Sequence, residues 1–254
     1  MTQTTPTAHR HHYGVSMAVP DVDSTTYGGG RTFVRGQGPT LLSNQGRQHS
    51  DPAEVVAAGA TLSSQVRWTD ERGRDQLVER RRLTGLLLPE VEAWALGWSS
   101  RLHARDTDVV IGSPATSGRP GAGYGGLFWR LPFADETAVL TADGDSEAKA
   151  HGSRSRWIAI ARRHGDLWTT LVLVQPGDVD PWFVRVADYV GAGPALAWDT
   201  TRRIGAGSSL DVELVAAVTD RRLDTADTAD LAEFAVARVR AAATPSAYNA
   251  GDGT

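Results

Sequence analysis

Between Leu210 and Val218 the chain places Leu210, Val212, Leu214, Ala216 and Val218 on alternate positions, with Asp211, Glu213 and small residues between them. Side chains on a strand alternate between two faces, so a period of two commits this segment to a β-strand with one covered face. The same period recurs upstream. Leu62, Val66 and Trp68 share one parity; Trp94, Leu96, Trp98 and Leu102 share another, opposite Ala95, Gly97, Ser99 and Arg101. Glu71-Arg72-Gly73-Arg74-Asp75 reads as a hairpin turn between strands at 65–69 and 76–83. Further strands are expected at 109–112, 126–131, 157–161, 167–174, 183–189 and 195–198.

Strands recurring with few helical patterns between them favour a sandwich or barrel over a βαβ fold. The exception is 228–243, where Leu231, Phe234, Ala235 and Val239 recur at helical spacing and Asp227 or Thr228 would cap the start. The reading is therefore an all-β fold, an antiparallel β-sandwich with a C-terminal helix. It divides the chain into a disordered N-terminus at 1–8, one domain over 9–243 that includes the helix 228–243, and a disordered tail at 244–254.

Composition narrows the partners. A formal charge of -4 over 254 residues gives no electrostatic case for nucleic acid or a membrane surface. With no cysteine there is no disulfide, thiolate ligand or thiol nucleophile. Lys149, the sole lysine, lies in a polar stretch at 143–150, which excludes most lysine-based mechanisms. No apolar run approaches the ~20 residues of a membrane span, and the first eight residues lack the apolar core of a signal peptide. A cytoplasmic location is the expectation.

Three of the seven histidines, His9, His11 and His12, fall within four residues. Imidazole titrates near neutral pH, so these three are the candidate catalytic acid–base groups or polar ligand contacts. The alternative is a divalent metal: His9 and His11 would share one face of a strand, with further ligands from His49, His151, Asp21 or Asp23. The cofactor is left open between these readings. Gly112 to Gly126, running into Leu127-Phe128-Trp129-Arg130, is either a binding rim or an ordinary connection between strands. It is not a phosphate loop, because no GK[ST] follows. His151-Gly152-Ser153-Arg154 and Asp180-Pro181-Trp182-Phe183-Val184-Arg185 each put basic or aromatic residues next to a strand. The candidate ligand-binding set is Arg31, Arg35, Arg119, Tyr124, Trp129, His151 and Arg185. The arginines would hold hydroxyl or carboxylate oxygens, and Tyr124 or Trp129 would stack on a ring.

Taken together, His9-Arg10-His11-His12-Tyr13-Gly14, Gly29-Gly30-Arg31-Thr32-Phe33-Val34-Arg35, the 112–130 segment, His151-Gly152-Ser153-Arg154 and the 180–185 segment resemble the bacterial PmoA family, in its actinobacterial branch. The resemblance implies a sandwich of the mutarotase-like supersandwich type and a small-molecule carbohydrate as partner. It also implies strands ahead of the histidine motif, so that this chain reads as shortened at its N-terminus. The methane oxygenation in the family label does not fit a chain without a spanning segment. The expected function is to bind or transform a sugar or oxidised sugar in a His/Arg-lined cleft. The alternatives are a metal-dependent hydrolase or lyase and a non-catalytic sugar-binding or interaction module.

Overall fold

The computed structural model describes residues 2–3, 13–56 and 60–243. Six short strands come first: β1 (Val15–Ala18), β2 (Asp21–Val22), β3 (Thr32–Val34), β4 (Gly38–Thr40), β5 (Arg47–Ser50) and β6 (Glu54–Val56). Longer ones follow in β7 (Thr61–Thr69), β8 (Asp75–Leu88) and β9 (Ala93–His103). Then come β10 (Val109–Gly112), β11 (Gly126–Leu131), β12 (Glu136–Thr141), the short helix α1 (Glu147–Ala150), β13 (Trp157–His164) and β14 (Leu167–Val174). The chain continues through β15 (Trp182–Arg185), β16 (Val190–Pro194), β17 (Arg202–Ile204) and β18 (Ser209–Thr219), and closes with helix α2 (Thr225–Ala243).

The described strands form an antiparallel β-sandwich. One layer is a large sheet in the order β12-β13-β14-β18-β9-β8-β7-β5, with β6 also on β7. Facing it are a small sheet, β1-β11-β16-β15, and a three-stranded sheet, β17-β10-β2. β3 and β4 form a separate hairpin.

The expected alternation sets the layers. Trp98, Leu102, Val212, Leu214, Ala216 and Val218 of the large sheet meet Trp129, Leu131, Trp182 and Val184 of the small sheet in one core. Each such buried side chain stabilises the fold by about 1.5–3 kcal/mol relative to exposure. The opposite face of β9 and β18 is not solvated: Ala95 and Ala217 are fully buried against α2, packed with Leu231, Ala235 and Val239. The small residues between the tryptophans of β9 are thus a helix-docking surface. A Cβ on Gly97 would collide with Val239. Leu62, of the same parity as Val66 and Trp68, is 43% exposed, because parity chooses a face while the other layer decides whether it is covered.

Several boundaries move. The turn at 70–74 forms as expected, built on Asp70, whose carboxylate accepts from the backbone N–H of Arg72 (2.9 Å) and Arg74 (2.8 Å). The strand expected at 183–189 ends at Arg185 as β15, the next strand, β16, begins only at Val190, and 195–198 is irregular. The helix starts earlier, capped by Asp224, whose Oδ1 accepts from Asp227 N–H at 2.9 Å, so neither Asp227 nor Thr228 is its cap. Of the 1–8 segment only residues 2–3 are described. Gln3 donates to Arg130 O (3.1 Å) and accepts from Gly14 N–H (2.8 Å). The rest of that segment and the 244–254 tail lie outside the described residues.

Candidate functional site

Beside the small sheet a cleft of about 420 Å³ opens between the β3–β4 hairpin and the turn that follows β10. The hairpin brings Arg31, Phe33 and Arg35; the turn brings Ser113, Thr116 and Ser117; Asp21 and Tyr124 complete the wall. Among these lining residues two arginines face one carboxylate, an excess of one positive charge before any ligand enters. Arg35 reaches back to donate to Thr116 O (3.4 Å), and its guanidinium lies over Gly118, where a Cβ would come within 3.0 Å.

Asp21 is held firmly. It pairs with Gly112 across β2 and β10, and a Cβ on Gly112 would stand 2.6 Å from its Oδ2. Its Oδ1 accepts from Ser24 N–H (2.8 Å). Burial raises its pKa, the Ser24 bond opposes that, and the nearby Asp23 charge adds to the rise. The carboxyl therefore keeps its proton to a higher pH than a free aspartate. Asp23 and Ser24 hold left-handed backbone (φ 47° and 70°), stabilised by Val110 N–H donating to Asp23 Oδ1 and Asn44 Nδ2 donating to Ser24 O. Non-glycine residues in this conformation cluster at functional sites.

Tyr124 links the cleft to a second cluster. Its ring meets Phe183 edge-on at 5.3 Å, and Phe183 meets His151 at 5.2 Å. Burial raises the Tyr124 phenol pKa, partly offset by the charge of Arg119. His151 also packs edge-on against Trp198 at 4.9 Å. Its Nδ1 accepts from Val184 N–H (3.2 Å) and lies 2.9 Å from Arg185 Nη1, while Nε2 donates to Gly121 O (2.9 Å). This is the bonding of a neutral imidazole. Burial lowers its pKa, the Arg185 charge lowers it further, and bonds to Gly121 and Val184 with the Glu147 charge act the other way. Glu147 stands 3.8 Å from Arg185 and accepts from Val186 N–H at 3.0 Å.

Of the residues expected from the sequence, Arg31, Arg35 and Tyr124 line the cleft, and His151 and Arg185 share the adjoining cluster. Arg119 is exposed on the turn. Trp129 does not stack on a ligand face: it is 2% exposed and packs in the core near Trp94 (6.3 Å), because odd-numbered residues of β11 point inward. His9, His11 and His12 lie outside the described residues. Among the described residues no group of three or more His, Asp or Glu side chains stands close enough to hold a metal ion. The sequence reading gave Asp21 only as a supplementary metal ligand and passed over Phe33 and Glu147. The Gly112–Gly126 stretch gives the cleft Ser113, Thr116, Ser117 and Tyr124, while its glycines pack as a connection: Gly123 lies against the backbone of Trp198, and Gly125 would drive a Cβ to 2.6 Å from Pro20.

A neighbouring cleft of about 440 Å³ holds Asp23, Asp70, Glu71 and Asp75. Most of these carboxylates are already engaged: Asp70 with Arg74 (2.7 Å), Glu71 with Arg72 (3.4 Å) and Asp75 with Arg105 (3.6 Å). That leaves the Arg31–Arg35 cleft as the better candidate.

No curated protein matches the chain. Among solved structures it is similar to an α-galactosidase from Lactobacillus brevis (9% identity, TM-score 0.38), over 74% of this chain and 28% of that one. It is also similar to a structure described as a kojibiose phosphorylase from the human microbiome (10% identity, TM-score 0.35), over 78% of this chain and 25% of that one. The chain thus spans about a quarter of each structure's length. No helix among the described residues is long and apolar enough to cross a membrane. The resemblance to the PmoA family is overturned, since the matching family model is another one, covering residues 1–233. This chain belongs to the family of unknown function DUF6807.

Proposed function

We propose that this protein binds an oxidised sugar, a polyhydroxylated ring or chain bearing a carboxylate, in the cleft between the β3–β4 hairpin and the turn after β10. The observation that carries the reading is the convergence of Arg31, Arg35, Phe33, Tyr124 and Asp21 on one space of about 420 Å³. Arginine forks match carboxylate oxygens with two parallel donors. The aromatic rings offer an apolar wall, and Ser117 and Asn44 supply hydroxyl-matching polar groups beside them. Asp21, carrying its proton to a higher pH than usual, is the group in the cleft suited to acid–base work on a bound sugar.

The test is calorimetric titration with D-glucuronate, D-gluconate and uncharged D-glucose. The reading expects the acids to bind and glucose to bind at least tenfold more weakly. It also expects Arg35→Ala to weaken the acids at least tenfold while leaving the melting temperature within a degree or two. Equal affinity for glucose, or unchanged acid binding in Arg35→Ala, would remove the cleft from consideration.

A further inference from the structure

A third cavity, of about 320 Å³, lies at the edge of the large sheet, where β5 pairs with β7 beside the turn at 70–74. Gln45, Arg47, His49, Arg67 and Thr69 line it together with that turn. The strand register explains the gathering. His49 stands directly opposite Arg67, and Arg47 directly opposite Thr69. Opposed residues on antiparallel strands share a face, and alternation along β5 returns Arg47 to the side of His49. Between them Gln48 turns to the inner side and donates to Met17 O (2.9 Å), while Val66 and Trp68 of β7 are buried in the core. Arg47, His49 and Arg67 therefore point outward together, with Cβ atoms about 5 to 8 Å apart.

These three groups have no counter-charge. Among the described residues neither guanidinium nor the imidazole makes a hydrogen bond or an ion pair. The arginines around them do: Arg72 pairs with Glu71, Arg74 with Asp70, Arg81 with Glu79 and Arg105 with Asp75. The two carboxylates in the cavity wall, Asp70 and Glu71, are thus answered within the turn. Asp70 accepts from the backbone N–H of Arg72 and Arg74 and from Arg74 Nε (2.7 Å). Arg47 and Arg67 are diagonal neighbours, and like charges so placed repel. A bound anion would remove that repulsion.

We propose that this basic corner is a second binding site, for the phosphate group of a small phosphorylated compound held by Arg47, Arg67 and His49. A phosphate monoester carries about −1.5 to −2 charges at neutral pH and three strong acceptor oxygens. Two guanidinium forks and an imidazole N–H match that charge and that number of acceptors; a carboxylate offers one charge and two oxygens. The cavity is large enough to take the organic part as well, with Gln45 and Thr69 as its polar contacts. The corner shares no residue with the Arg31–Arg35 cleft, so the two sites stand or fall separately.

The test is calorimetric titration at constant ionic strength with inorganic phosphate, D-glucose 6-phosphate, D-glucuronate and D-glucose. The Arg31→Ala/Arg35→Ala double variant should still bind at least one of the two phosphates saturably, and neither glucuronate nor glucose. Arg67→Gln and, separately, Arg47→Gln should each weaken that binding at least tenfold; both positions are exposed, so each variant should melt within about two degrees of the wild type. Tighter binding of glucose 6-phosphate than of phosphate supports an organic phosphate as the occupant. The proposal is overturned if neither phosphate binds the double variant, or if glucuronate binds it as tightly as the phosphates do. Phosphate binding undiminished in both Arg67→Gln and Arg47→Gln would also overturn it.

Discussion

The two layers of the sandwich are built from different materials. The large sheet uses long strands, tryptophans on its inner face and small residues beneath a helix. Its central polar group, Glu79, is fully buried and satisfied by Trp68 Nε1 (2.9 Å), Ser100 Oγ (2.5 Å) and a two-point contact with Arg81. The small sheet uses four- to six-residue strands, glycine at two positions of β16, and a buried arginine, Arg130. The Glu79 network is satisfied within its own sheet, whereas Nε and Nη1 of the buried Arg130 have no hydrogen-bond partner. The difference separates a layer held by a satisfied buried network from one built on glycine and short strands, beside which the proposed sugar-acid cleft lies.

The contrast can be broken most forcefully from the large sheet. Glu79→Ala strands the Arg81 cation and two neutral donors, and should cost about 3–5 kcal/mol in denaturant unfolding. A loss below about 1 kcal/mol would mean that the buried network is not what unites these strands. Next comes β16 of the small sheet. A Cβ on Gly193 would run into Leu127 O, so Gly193→Ala should destabilise by about 1–3 kcal/mol through overpacking in denaturant unfolding.

A smaller effect separates chemistry from scaffold. Arg31→Ala, on the exposed hairpin, should leave stability within about 0.5 kcal/mol and weaken sugar-acid binding. Urea titration beside calorimetry reads both. The smallest effect is a pH dependence. His151 has a lowered pKa in the folded protein, so on acidification the unfolded chain takes up that proton first. Its stabilisation is present above the ordinary histidine value near 6.5 and declines as pH falls through that value toward the lowered one. The stability–pH slope between pH 7.5 and 5.5 should therefore flatten in His151→Gln; an unchanged slope would assign the proton uptake elsewhere.

The same contrast explains what was readable in the sequence. The large sheet announces itself because bulky apolar side chains alternate on one face: β9 and β18 lie where the parity of Trp94 and Leu210 puts them. In the small sheet β11 lies where a strand was expected at 126–131, but β16 hides because it reads Val-Gly-Ala-Gly-Pro, a composition that ordinarily marks a turn. It is a strand because Phe128 covers Gly191, leaving no room for a side chain there. The arginines of the cleft were visible as residue types beside glycine runs. Their convergence with Asp21 was not, since it depends on β2 pairing with β10 some ninety positions away. Trp129 was misplaced because an aromatic residue in a suggestive motif carries no sign of which face it occupies.

The most direct test of the claim that sugar-acid chemistry lies in the cleft beside the small sheet is a backbone amide chemical-shift map of the intact protein titrated with D-glucuronate. The account predicts saturable shifts centred on β2, the β3–β4 hairpin and the turn after β10, with the large sheet and α2 unmoved. Shifts centred on β7, β8 or α2, with the hairpin and that turn silent, would contradict it.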